Sequence, residues 1–173
     1  MGQSRVTLFL MKRSILLLAL LGALPAAVRA QMLWPGTEAG MTVDQVQREF
    51  PAAHAPENPV ELPNERGVQL LELDEAVVAG HTFTVRFFFK ERLLSYVALG
   101  ETGEIPAKEF EKFRILLRGK YGLEYSTLNS EYIQVTWKAV KTVIRLSWAP
   151  QGHGVATLII SYEAPIIKET DRL

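Results

Sequence analysis

The segment from His81 to Lys90, HTFTVRFFFK, constrains the fold of this chain more than any other stretch. Every second residue from Phe83 onwards is apolar: Phe83, Val85, Phe87 and Phe89. Because successive side chains of a β-strand point to opposite faces of a sheet, this period of two predicts a strand with one buried face. A short connection at Glu91-Arg92 leads to a second apolar run, Leu93–Leu99, so the two runs are predicted to form a β-hairpin.

Further strand and helix patterns extend along the chain. Strand patterns cover Val68–Leu73, Glu131–Lys138, Thr142–Trp148 and Val155–Tyr162. A first helix is predicted between Thr42 and Pro51, because Thr42 and Gln45 have the spacing of a capping box and proline ends a helix. A second helix is predicted between Pro106 and Gly122, with an apolar stripe at helical spacing formed by Phe110, Phe113 and Leu117.

The order of these elements predicts an α+β fold. Each half of the chain reads as one helix followed by three strands, an architecture repeated with almost no residue identity. Hairpin connections and alternating strands favour antiparallel pairing. We therefore expect two layers, with two amphipathic helices packed on one antiparallel sheet of about six strands. The predicted domain covers residues 31–163, and residues 164–173 are expected to form a flexible tail.

Residues 1–30 are predicted to be a signal peptide. Lys12 and Arg13 precede an apolar run, Ile15–Leu24, and Val28-Arg29-Ala30 supplies small residues at the two positions that a signal peptidase reads. The run is shorter than the roughly 20 residues of a membrane-spanning helix, which makes a retained anchor the weaker alternative. Translation from Met11 instead of Met1 would give a more typical signal. We expect a periplasmic protein after cleavage, or alternatively a secreted one.

Composition excludes several classes of function. The chain has no cysteine, so we expect neither disulfides nor a lipid attached to cysteine. Residues 1–30 contain four basic and no acidic residues; without them, 15 basic residues face 19 acidic ones, a net charge near −4. A mildly acidic domain is a poor candidate for binding nucleic acid, which requires a strongly basic face.

Motifs of catalysis and metal binding are not recognisable. The three histidines, His54, His81 and His153, are far apart in the sequence and lack the spacing of metal ligands. The chain has no G-x-S-x-G or S-x-x-K signature of a serine nucleophile and no glycine-rich phosphate loop. We therefore expect no metal, no cofactor and no catalytic activity.

A short motif and the order of elements resemble a known group of proteins. Gly40-Met41-Thr42, followed by Val46, resembles the start of the SmpA-type outer-membrane assembly lipoprotein domain. The doubled helix-and-strands order is similar to the β-lactamase inhibitor protein, whose fold that domain resembles. Members of these groups bind other proteins through the sheet and its loops, so the resemblance implies a protein-binding function here. This chain lacks the lipobox cysteine and the cysteine pairs of those groups, and we carry over no functional residues.

The strand faces opposite the helices supply the candidate binding surface. The alternation places basic, aromatic, hydroxyl and amide side chains there and no acidic ones: Thr82, Thr84, Arg86, Phe88, Lys90, Tyr96, Tyr132, Gln134, Thr136, Lys138, Arg145, Ser147 and Thr157. Exposed aromatic residues beside arginine are typical of protein interfaces. The six residues predicted to bind are Arg86, Phe88, Tyr96, Tyr132, Lys138 and Arg145.

The predicted function is a non-catalytic, protein-binding or inhibitor-like module whose partner is an envelope protein with an acidic surface. Three alternatives stay open. The face could be an ordinary solvated sheet surface, since threonine, arginine and tyrosine suit strands. The chain could bind a small ligand in a pocket between helices and sheet near the proline-rich loop 51–66. It could also be an enzyme of unrecognised class.

Overall fold

The computed structural model describes residues 32–64, 66–129 and 132–164 of the chain. Its elements follow in this order: α1 Val43–Glu49, β1 Glu61–Leu62, β2 Gly67–Val78, β3 His81–Lys90, β4 Leu93–Gly103, α2 Ala107–Tyr121, β5 Ser126–Asn129, β6 Ile133–Ala139, β7 Thr142–Gly152 and β8 Val155–Glu163. The predicted signal peptide and all of the predicted tail except Ala164 lie outside the described residues.

The strands form one antiparallel sheet of eight strands, in the order β1-β2-β3-β4-β8-β7-β6-β5. The sheet curls into a half-barrel, and 53 % of the described residues are in strands against 17 % in helices. The predicted two-layer α+β fold with about six strands is therefore wrong. The sheet dominates the structure, and the two helices are short.

The sequence patterns missed β1 and β5 because neither strand is long enough to show a period. Strand β1 has only two residues and lies between Pro59 and Pro63. Strand β5 is the tetrapeptide STLN, in which Leu128 is the one apolar residue. Both are the terminal strands of the sheet, where a strand needs a partner on one side alone.

Irregular pairing explains part of the curl. Strand β2 continues past Leu73 to Val78, and its register with β3 shifts between Leu73 and Ala76. Glu75 adopts a positive φ of 58° at that point. A bulge of this kind bends the strand and increases its local twist. Further shifts occur between Phe88 and Phe89 in β3 and between Pro150 and Gly152 in β7.

The two helices begin and end as the local signals predict. The side chains and backbones of Thr42 and Gln45 form the reciprocal capping box at α1. Pro106 precedes α2, and Gly122 ends it with a φ of 84°. No helix in the described ranges has both the length and the apolar character needed to cross a membrane.

The hydrophobic core lies on the sheet face that contacts the helices, which we call the inner face. Phe83 of β3 packs edge-on against Phe113 of α2, with ring centroids 5.6 Å apart. Phe87 contacts Phe50, which directly follows α1, at 5.5 Å, and Trp34 stacks on Phe50 at 5.3 Å. The opposite side of the sheet, which we call the outer face, positions the candidate site.

Candidate functional site

A half-open pocket of about 600 Å³ lies on the outer face, between the sheet and the proline-rich loop. The loop and β1 contribute one wall, formed by His54, Pro56, Glu57, Asn58, Val60 and Leu62. Strands β2, β3, β4 and β8 contribute the rest: Gln69, Glu72, Asp74, Arg86, Phe88, Tyr96, Ala98, Gly100 and Ile159. The pocket thus combines an apolar floor with polar groups at its sides.

Backbone hydrogen bonds hold the loop beside β2. His54 and Glu72 exchange both of their backbone N–H···O=C bonds, each with a nitrogen–oxygen distance of 2.8 Å. Further along, the backbone N–H of Gln69 donates to the carbonyl of Val60 at 2.9 Å. The prolines of the segment limit its backbone freedom, which lowers the entropy cost of keeping the loop in this position.

Two aromatic side chains form the floor of the pocket. Phe88 and Tyr96 are cross-strand neighbours, and their rings meet edge to face with centroids 5.4 Å apart at an angle of 81°. Such a pair contributes about 0.5–1.5 kcal/mol beyond the area it buries. Burial raises the pKa of the Tyr96 phenol above its ordinary value, so this side chain is neutral at physiological pH.

Arg86 has an unusual environment for an arginine. Its guanidinium lies over Gly100, where a Cβ atom would stand 2.9 Å from Nη1. Glu72 is its cross-strand neighbour, yet the Glu72 carboxylate accepts a hydrogen bond from Nε2 of Gln69 at 2.9 Å instead. Among the described residues, Arg86 forms neither a side-chain hydrogen bond nor an ion pair.

His54 lies at the end of the pocket that contains the acidic residues Glu72 and Asp74. Its Nε2 lies 3.0 Å from Oδ2 of Asp74, and its Nδ1 lies 3.1 Å from the carbonyl oxygen of Ala55. The hydrogen bond to the Ala55 carbonyl and the one to Asp74 both raise the pKa of His54 above its ordinary value of 6.5. Since both neighbours are acceptors, they favour the doubly protonated imidazolium.

The structure brings together three of the six predicted binding residues. Arg86, Phe88 and Tyr96 all line the pocket, although Phe88 is only 3 % exposed and does not form part of an open surface. Arg145 lies on β7, two strands away from β4, and pairs with Glu163.

Lys138 and Tyr132 lie still farther from the pocket. Lys138 is on β6, where its Nζ stands 3.5 Å from the ring centroid of Tyr125. Tyr132 directly precedes the same strand and is 38 % exposed. Neither residue lines the pocket.

The expectation of an outer face without acidic groups is wrong. Glu163 of β8 is buried there, and its carboxylate pairs with Arg145 and, at 3.9 Å, with Nη1 of Arg66. Of the basic residues predicted for this face, Arg145 pairs with the Glu163 carboxylate and shares it with Arg66, which is outside the predicted set. Glu163 could have been included from the sequence, since it continues the outward alternation of Ser161 and Ile159.

A second cluster of titratable groups joins β3 to α2. Nδ1 of His81 lies 3.0 Å from Oε2 of Glu101, and Nε2 lies 3.0 Å from Oε2 of Glu109. Lys112 pairs with the same Glu109 oxygen at 2.7 Å. These partners satisfy one another, and none of the four residues lines the pocket. We therefore assign the cluster a structural role, which is to fix the start of α2 against the sheet.

The Glu109 carboxylate should contribute pH-dependent stability. Its hydrogen bonds with Lys112 and then with His81 lower its pKa below the ordinary value of 4.5. A depressed pKa gives stability that is present above 4.5 and is lost as the pH falls through the folded-state value. We expect Glu109→Gln to be less stable than the natural protein at neutral pH, with a difference that shrinks on acidification.

Urea unfolding at a series of pH values measures this difference. Glu104→Gln is the matched control, because Glu104 is exposed and precedes the same helix. A Glu109→Gln deficit that stays constant between neutral and acidic pH would contradict the assignment.

Comparison with known proteins does not indicate a function for this chain. No protein family, no curated protein and no solved structure matches this chain. Within residues 32–64, 66–129 and 132–164, no group of three or more His, Asp or Glu side chains is arranged to hold a metal ion. The geometry of the pocket is therefore the basis on which a function is assigned.

Proposed function

We propose that this protein binds a small organic ligand in the outer-face pocket, outside the cytoplasm, and that it acts by binding and not by catalysis. The location follows from the predicted signal peptide of residues 1–30 and would be the periplasm, or alternatively the extracellular medium. The observation that carries the proposal is the pocket itself, with an aromatic floor and a guanidinium, that of Arg86, which has no side-chain partner among the described residues.

The size and lining of the pocket support a small molecule as the occupant. Ligand sites are clefts of about 300–1,000 Å³ with mostly apolar walls and a few polar groups that fix orientation. This pocket has a volume of about 600 Å³. Tyr96 and Ile159 are partly exposed and supply most of the apolar surface, Phe88 and Ala98 add a little at 3 % and 8 % exposure, and Arg86 supplies the polar group. The proposal differs from the sequence-based alternative in its location, since the pocket is on the face opposite the helices.

A fluorescent apolar probe tests the proposal. N-phenylnaphthylamine is neutral, and its emission rises when it leaves water for an apolar site. We expect saturable binding to the purified protein, and we expect Ala98→Trp to weaken it at least about tenfold, because the indole would occupy the space that the ligand needs. Ala98 is buried at the floor of the pocket.

The control variant is Thr102→Trp, which adds the same side chain on the same strand and face but at an exposed position outside the pocket. It should bind the probe as the natural protein does. Equal binding by Ala98→Trp and the natural protein, in a folded variant, would place the probe elsewhere and contradict the proposal.

A second candidate function is the protein-binding module that the sequence suggests, with an acidic envelope protein as partner. The observation in its favour is a set of exposed apolar and aromatic residues around β5: Leu123 at 74 %, Tyr125 at 64 %, Leu128 at 46 % and Tyr132 at 38 % exposure. Lys138 adds a positive charge beside Tyr125. If this second function is correct, we expect Lys138→Glu to reduce binding of an acidic partner isolated from the cell envelope. Unchanged binding would count against it.

A further inference from the structure

We propose that the ligand of the outer-face pocket is an amphipathic organic monoanion, whose single oxyanion group is bound by Arg86. This inference rests on the proposed function and adds to it the chemical class of the ligand. It depends on three features of the pocket: an unpaired guanidinium, a glycine that makes room for it, and acidic groups that limit the charge of the ligand.

The first feature is the missing partner of Arg86. The side chain is half-buried, and among the described residues it has neither an ion pair nor a side-chain hydrogen bond. Withdrawing a charged group from water without a partner costs free energy. His54, the other basic residue in the lining, is held by Asp74 and by the Ala55 carbonyl. Arg86 is thus the basic lining group that is free to bind an anion.

The second feature is the space above Gly100. A Cβ atom at this position would lie 2.9 Å from Nη1 of Arg86, closer than real Cβ contacts occur. The glycine therefore lets the guanidinium lie against the sheet. Ile159, the register partner of Gly100 on β8, lines the same pocket. From this position the guanidinium N–H groups can form the two parallel hydrogen bonds typical of arginine with an oxyanion.

The third feature is the charge around the guanidinium. Glu72 lies opposite Arg86 on β2, and Asp74 and Glu57 also line the pocket. Glu72 is engaged with Gln69, and Asp74 with His54, so neither carboxylate neutralises Arg86 directly. The single positive charge of Arg86 compensates one negative charge on the ligand, and the electric field of the carboxylates repels any further one. A carboxylate or a sulfonate therefore fits the site better than a doubly charged phosphate.

The apolar lining describes the rest of the ligand. Phe88 and Tyr96 present an edge-to-face aromatic pair, and Ala98 and Ile159 continue the apolar surface towards Arg86. Aromatic or branched aliphatic groups bury well against such a floor. The expected ligand thus has an aromatic or branched body with one terminal oxyanion.

Two probes that differ only in an oxyanion separate this inference from the proposed function. Anilinonaphthalene sulfonate has the ring system of N-phenylnaphthylamine with one added sulfonate. We expect the sulfonate to bind at least about tenfold more tightly than the neutral probe, since hydrogen bonds to a charged group contribute about 1.5–3 kcal/mol. Arg86→Gln should abolish this preference by weakening the sulfonate alone.

Two pairs of variants control for charge and for folding. Arg48→Gln removes the same charge at an exposed position of α1 and should leave both probes unchanged. Gly100→Ala should displace the guanidinium and weaken the sulfonate, whereas Gly103→Ala, on the same strand with open space around it, should not.

The outcomes distinguish the two proposals. The inference of an anionic ligand is wrong if the neutral probe binds in the pocket and the sulfonate binds no more tightly, or if Arg86→Gln weakens both probes equally. The proposal that the pocket binds a small ligand is unaffected by either result. If neither probe binds to the natural protein, the proposed function fails as well. Salt gives an independent readout, because only sulfonate binding should weaken as ionic strength rises.

Discussion

Trp137→Ala is expected to lower the free energy of unfolding by about 3–5 kcal/mol, which is the usual cost of truncating a fully buried aromatic residue. Trp137 is 0 % exposed in the core under α2. Its Nε1–H donates a hydrogen bond to the carbonyl oxygen of Gly122 at 3.1 Å, so the same side chain also holds the end of α2 to β6. The alanine variant loses the packing, leaves a cavity and frees that carbonyl.

Urea unfolding followed by circular dichroism measures this effect. Trp137→Phe should cost less than the alanine variant, because it keeps one aromatic ring in the core and loses the hydrogen bond and the packing of the second ring. Val140→Ala, in the turn between β6 and β7, is the control: Val140 is 98 % exposed, and the change should stay within about 0.5 kcal/mol. A Trp137→Ala cost near that of Val140→Ala would contradict the position of α2 on the sheet.

Glu163→Gln is expected to lower the free energy of unfolding by about 2 kcal/mol. The buried carboxylate pairs with both Arg145 and Arg66, and removing its charge leaves two guanidinium groups facing each other on the outer face. Each of the two arginine side chains is 29 % exposed, so water solvates part of the uncompensated charge in the variant. The loss of stability therefore stays below that of a fully buried pair. The effect should shrink with added salt.

Glu38→Gln, at an exposed position, is the matched control for this substitution and should have little effect. Because the Arg66 guanidinium also lies 5.8 Å from the ring centroid of Tyr96, Glu163→Gln should disturb the floor of the ligand pocket. A variant as stable as the natural protein would show that the shared carboxylate does not hold this part of the sheet together.

The helices could be predicted from the sequence because the signals that set their ends are local. The capping box of Thr42 and Gln45 forms within one turn, and the positive φ of Gly122, which glycine adopts readily, ends α2 wherever that helix packs. The sheet was less predictable. Strands β1 and β5 form because β2 and β6 offer them hydrogen bonds, and four or fewer residues show no period of their own.

The site was predictable in part. Alternation along β3 and β4 placed Arg86, Phe88 and Tyr96 on one face, and the structure brings them together. The pattern could not show that the proline-rich loop lies beside that face, because the contact depends on backbone pairing between His54 and Glu72, far apart in the sequence. For the same reason, Gln69 and Glu72 were missed. The signal peptide and the resemblance to the SmpA-type domain stay predictions.

The central claim is that a small ligand binds between the proline-rich loop and the outer face, and an NMR titration tests it most directly. Amide chemical shifts of the purified protein are followed as anilinonaphthalene sulfonate is added. We predict that the largest shifts concentrate at Phe88, Ala98, Gly100 and Ile159, with the loop at His54 to Val60 responding in parallel. Shifts concentrated instead at the exposed apolar residues Leu123, Tyr125 and Leu128, with the pocket amides unmoved, would contradict the account.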